Sequence, residues 1–130
     1  MRQDTTSAVV EHLDLVIAPY ERRRRCVWYI VYGDNGRPLV HYAVDEVPPR
    51  PTLDECVETS DVFANAIEHM GGEASLLVAI TRPGSPSVVA SDRLWYRATR
   101  QVCTARQVPL LGVHVLTAHG HREIFLDDVL

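Results

Sequence analysis

Residues 74 to 86 read Ala-Ser-Leu-Leu-Val-Ala-Ile-Thr-Arg-Pro-Gly-Ser-Pro, and this stretch decides the fold. Its first half, Ala74–Ile80, is a short apolar run without alternation. That is the pattern of a central strand covered on both faces. Its second half opens a loop, Thr81–Val89, which two prolines and a glycine keep out of regular structure. A strand buried on both faces needs a layer on each side, so the flanking chain must supply helices.

Downstream, Ser91 or a neighbour is expected to cap a helix reaching about Gln107. Leu94, Trp95, Ala98, Val102 and Ala105 form its apolar face. Leu110–Leu116 reads as a second buried strand, His119-Gly120 as a turn and Arg122–Leu126 as a short last strand. Upstream, Thr52-Leu53-Asp54-Glu55 is a capping box. It opens a helix whose apolar stripe is Leu53, Cys56, Val57, Ser60, Ala64 and Ile67, and Gly71-Gly72 ends it. Pro48-Pro49-Arg50-Pro51 is a stiff extended connection.

Further upstream, Cys26–Tyr32 and Leu39–Val44 flank the turn signal Asp34-Asn35-Gly36 and read as a β-hairpin. Val9, Val10, Leu13, Val16 and Ile17 recur at helical spacing, so a first helix is expected over about residues 6–18, closed by Pro19. Residues 1–5 are expected to be disordered. The order is helix, two strands, helix, strand, helix, strand, strand. The expected fold class is therefore α/β: a single domain over 1–130 with a mixed β-sheet flanked by helices.

The composition agrees. The 130 residues carry thirteen basic and seventeen acidic side chains, net charge -4, with 46 % hydrophobic residues. All the basic residues are arginine. Such a balance fits one compact globular domain and argues against a dedicated nucleic-acid-coating protein. The N-terminal segment is interrupted by Glu11 and Asp14 and reads as neither a signal peptide nor a membrane span. Cys26, Cys56 and Cys103 are odd in number and have no CxxC spacing. They are expected as buried free thiols, and a cytoplasmic setting follows. There is no P-loop, GxGxxG or GxSxG.

The run from hairpin to helix, apolar strand, Pro/Gly/Ser loop, helix-opening Asp92 and the strand start Leu111-Gly112-Val113 resembles the RadC-like branch of the JAB/MPN metalloprotease superfamily. The resemblance spans roughly residues 24–120 and implies a cytidine-deaminase-like α/β sandwich. In that family a His-x-His-Pro motif and a downstream aspartate hold zinc, and an upstream glutamate activates the metal-bound water. Here the motif falls on Ile80-Thr81-Arg82-Pro83, so Pro83 remains and both histidines are gone. Asp92 matches the third ligand, after a loop one residue shorter than usual. The serine expected three residues before it is Val89. The glutamate would fall near Arg25, with Glu21 the nearest acid, and the family's Asp-His pair after the second strand is replaced by Thr117-Ala118.

A catalytic zinc takes about three protein ligands, and the resemblance leaves one. A guanidinium stays protonated at any ordinary pH. Beside Asp92 it would replace the metal's charge, so an Arg82–Asp92 ion pair is expected across the degenerate pocket Ile80, Arg82, Pro83, Asp92. A separation beyond about 6 Å would refute it. The alternative is a solvated loop arginine and an aspartate favoured by the helix dipole. The pocket under the Thr81–Ser91 loop is where a ligand is expected, if there is one.

Other candidates are weaker in pattern. His114, His119 and His121, with Asp127 and Asp128 beyond, could relocate a zinc site, or His119-Gly120-His121 is a polar hairpin tip. Arg22, Arg23, Arg24 and Arg25 could contact an anion or partner, or form a solvated strand entrance that blunts an edge. Arg93, Arg97 and Arg100 read as a solvated helix face. From Asp45 to Glu73 there are eight acids against Arg50 alone, a segregation that suits self-association or a charged partner. Trp28 and Trp95 are expected in the core, with interface anchors as the alternative. The leading expectation is a metal-free, cofactor-free pseudoenzyme: a protein-interaction or self-association module with a protein partner or homo-oligomer and no membrane contact. A zinc-dependent hydrolase with relocated ligands and a DNA-repair-associated nucleic-acid accessory domain are the alternatives.

Overall fold

The computed structural model describes residues 2–71 and 73–129. It is an α/β fold around one five-stranded mixed sheet. The elements are α1 (Arg2–Val16), β1 (Cys26–Tyr32), β2 (Pro38–Asp45), α2 (Leu53–Glu68), β3 (Ser75–Thr81), α3 (Ala90–Arg106), β4 (Leu110–Thr117) and β5 (Gly120–Ile124). Short 3₁₀ turns follow at Pro19–Arg23 and Leu126–Val129. This is the order expected from the sequence.

The strands lie in the order β2-β1-β3-β4-β5. β1 is antiparallel to both β2 and β3, and β4 is antiparallel to β5. β3 and β4 are parallel, which demands a crossover rather than a hairpin, and α3 supplies it. Ile30, Leu77 and Ala79 pack on one face of the sheet against Leu13 of α1 and Ile17 just beyond its end. Val27, Tyr29, Val78 and Ile80 pack on the other against Cys56, Ala64 and Ile67 of α2 and Trp95, Ala98 and Val102 of α3. The unalternating runs of β1 and β3 follow directly, because each of their faces is a core. Trp28 and Trp95 are both buried, as are the three free thiols.

Local signals account for several boundaries. Thr52 Oγ1 accepts from the Glu55 N–H at 3.1 Å, and Glu55 Oε1 accepts from the Thr52 N–H at 2.8 Å. Gly36 takes φ +77° at the hairpin turn, where a Cβ would be strained.

Other boundaries differ from expectation. α1 begins at Arg2, inside the stretch expected to be disordered, and ends at Val16. Polar residues extend a surface helix once its buried turns propagate it, so apolar spacing understates its start. α2 ends at Glu68, earlier than the glycine pair implied, and Gly72 lies outside the described residues. β5 runs over Gly120–Ile124 rather than Arg122–Leu126. Asp128 accepts from the Phe125 N–H at 2.7 Å and draws the chain into its last turn. Ala105 and Leu53 are exposed, whereas Tyr96 and Cys103 are buried on α3.

Candidate functional site

Arg82 follows the last residue of β3, and Asp92 lies in the first turn of α3. The two side chains form a bidentate ion pair. Arg82 Nε donates to Asp92 Oδ1 at 3.0 Å, and Nη2 donates to Oδ2 at 2.7 Å. Side-chain exposure is 6 % for Arg82 and 0 % for Asp92. The expected pair is therefore present, and it is buried rather than solvated.

The remaining donors of Arg82 go to the loop that follows it. Nη1 donates to the carbonyls of Pro83 at 3.1 Å and Ser85 at 2.8 Å, and Nη2 to that of Ser87 at 2.9 Å. A guanidinium has five N–H groups, and these five acceptors match them one for one. Asp92 Oδ2 also accepts from the Val89 N–H at 3.0 Å. The N-cap of α3 is thus Val89, without a side-chain cap, and not Ser91. Its orphan amide is satisfied from inside the helix by Asp92. Under the Thr81–Ser91 loop, where a pocket is expected, the Arg82 side chain lies bonded to three of the loop's carbonyls. Proline at 83 and 86, and Gly84 at φ +96°, let the loop curl until three carbonyls face one arginine.

Ile80 is buried in the core formed with α2 and α3, and Pro83 is exposed. Trp28 Nε1, one strand away, donates to Thr81 Oγ1 at 3.2 Å. Of Ile80, Arg82, Pro83 and Asp92, the last two thus meet at the Arg82 guanidinium, Pro83 through its carbonyl, while Ile80 belongs to the core.

The C-terminal histidines separate. His114 Nδ1 and His121 Nε2 lie 2.8 Å apart in a part-buried contact, while His119 is exposed on the turn. Among the described residues no group of three or more His, Cys, Asp or Glu could hold a metal ion. Glu123, not singled out from the sequence, sits across the ladder from His114. Its Oε2 and His114 Nε2 both crowd the space a Cβ on Gly112 would occupy, each 3.1 Å from it.

Burial, and then the neighbouring His121, pull the His114 imidazole down to about 4. The folded state therefore excludes the protonated ring, while the unfolded chain accepts it near 6.5. The resulting stability is fully present above about pH 6.5 and is lost as pH falls towards 4. The slope is about 1.4 kcal/mol per pH unit. Glu123, which burial holds above the usual carboxylate range, works in the opposite sense. We expect His114→Gln to flatten the fall in urea midpoint between pH 7 and pH 4.5 relative to the parent chain. Parallel curves would show that His114 titrates normally.

The arginine run is divided as well. Arg22 Nη2 donates to Asp14 of α1 at 2.8 Å, and Arg24 pairs with Asp45 and Glu21. Arg23 is exposed and Arg25 half-buried. The run leads into β1, which is interior to the sheet, so it blunts no edge. On α3, Arg93 and Arg97 donate to the carbonyls of Asp128 and Val129 and tie down the chain end. They are more than a solvated face. Arg106 bridges from α3 to Asp61, Asn65 and Glu68 of α2, and its hydrogen bond holds the Asp61 carboxyl below its usual range.

Sequence reasoning missed two adjoining grooves at the other end of α3, of about 660 and 620 Å³. They share Tyr96, Arg100, Thr104 and Leu126. Leu126 opens the last 3₁₀ turn and does not extend β5, which brings it to the same grooves as Arg100. Comparison with protein-family models, with curated proteins and with solved structures gave no match to this chain.

Proposed function

We propose that the chain is a non-catalytic, RadC-like JAB domain that works as a protein-interaction module. The observation that carries this reading is the full occupancy of Arg82. All five of its donors are taken by Asp92 and the loop carbonyls, at the position where the resembled family holds zinc with histidine. A buried cation with no spare donor and a buried carboxylate bound to it leave neither a Lewis acid nor a free base. The element order, on which the resemblance rests, supports this reading. The three buried free thiols support a reducing, cytoplasmic setting. Among the described residues no helix is long and apolar enough to cross a membrane.

The test is metal content. Protein purified without chelator is expected to carry no zinc above a control protein, and added zinc is expected to leave Tm unchanged. A stoichiometric zinc that raises Tm through preferential binding to the native state would overturn the reading.

A further inference from the structure

The sheet has two edges, and they are built differently. β5 is five residues long and carries Arg122 and Glu123, charges of the kind that keep an edge from pairing. β2 is eight residues long, and all of its residues except Val44 are exposed. Leu39, Val40 and Tyr42 are 57 %, 40 % and 50 % exposed. From Leu39 to Val44 it carries no acid and no arginine, and its proline stands at the first position. Its irregularity is confined to the same end, opposite Val31 and Tyr32. From Val40 to Asp45 it is a regular strand with open backbone groups along one side.

Its two faces alternate in chemistry. Val40, Tyr42 and Val44 lie on the α2 side, where the Tyr42 ring is 5.5 Å from Phe63 and Val44 packs against the core. His41, Ala43 and Asp45 lie on the α1 side, with the His41 ring 6.3 Å from Trp28.

We propose that β2 pairs antiparallel with β2 of a second copy about a two-fold axis at Ala43, joining the two sheets into one of ten strands. The proposal rests on the interaction-module reading and names its partner. In this register Tyr42 of each copy faces Val44 of the other, an aromatic–β-branched pair. His41 of each copy faces Asp45 of the other, whose Oδ1 is held by Arg24 of its own chain and whose second carboxylate oxygen is left to accept from the imidazole. The smallest side chain in the strand, Ala43, sits at the axis, where it meets its own copy. An axis at Tyr42 would set Asp45 against Leu39. An axis at His41 would face two imidazoles together and run the ladder through the irregular start of the strand. Charge and shape therefore favour the axis at Ala43, and a two-fold arrangement closes on itself.

Analytical ultracentrifugation of the full chain tests this. The expected mass is twice the 14.6 kDa of one chain. Ala43→Arg sets two guanidiniums against each other at the axis and is expected to halve the mass, with the far-UV circular dichroism unchanged because the site is exposed. His41→Asp is expected to do the same by facing Asp45 with a second carboxylate. Adding Asp45→His to it is expected to restore the dimer. A monomeric parent chain at all accessible concentrations, a dimer indifferent to Ala43→Arg, or a charge swap that fails to restore it overturns the proposal. A monomer without zinc would sink only the choice of partner. Stoichiometric zinc would sink the Arg82 reading whatever the mass.

Discussion

Asp92→Ala is expected to cost about 3–5 kcal/mol of folding stability, a large share of the roughly 5–15 kcal/mol available to a domain. The reason is asymmetry. The change removes two acceptors from a guanidinium that has 6 % of its surface exposed, leaving a buried cation without its counter-charge. It also strips the Val89 N–H, at the start of α3, of its acceptor. Arg82→Lys is expected to cost less than Asp92→Ala. It keeps the charge but brings three donors to five acceptors and has no planar fork. Arg82→Leu with Asp92→Leu should recover part of the loss, because no lone charge remains. Recovery should be incomplete, since the carbonyls of Pro83, Ser85 and Ser87 still lose their donor. Urea titration with unchanged m-values measures all of these. A loss below about 1 kcal/mol for Asp92→Ala would place the pair among ordinary surface contacts.

Tyr29→Ala is expected to cost about 3–5 kcal/mol. Tyr29 is fully buried in the central β1 strand, and its ring stacks on Phe63 of α2 at 4.1 Å with an 11° tilt. Its hydroxyl lies 2.8 Å from Ser60 Oγ, which in turn lies 3.4 Å from Thr99 Oγ1. Thr99 closes the chain on the Trp95 carbonyl at 2.7 Å. This relay joins β1, α2 and α3 through hydroxyls alone. Burial pushes the phenol above its usual range, so it stays protonated and able to donate. Tyr29→Phe isolates the polar part and is expected to cost about 1 kcal/mol. If Phe and Ala at 29 cost the same, the stack on Phe63 contributes nothing and the packing account is wrong.

The element order was legible because each element announces itself locally. The unalternating runs at 26–32 and 74–80, the Asp-Asn-Gly turn and the Thr52/Glu55 box are read from neighbours a few residues apart. What such signals describe poorly is termini. The polar first turn of α1 has no apolar spacing to mark it, and the end of β5 is decided by a hydrogen bond from Phe125 to Asp128. Ser60 could be placed on a buried stripe, but its partners Tyr29 and Thr99 stand 31 and 39 residues away.

The candidate site divides in the same way. That Arg82 and Asp92 bracket one Pro/Gly/Ser loop is legible from residue order alone. That the loop turns its own carbonyls inward emerges only once the chain has folded. Donor occupancy is a count over atoms in space, and no spacing rule contains it. Likewise the exposure of β2 could not be read from Leu39–Val44, whose apolar residues resemble those of the buried strands. Whether such a strand has one neighbour or two depends on its place in the sheet. That place was set when β3 and β4 paired in parallel on the far side of β1 and left β2 at the edge.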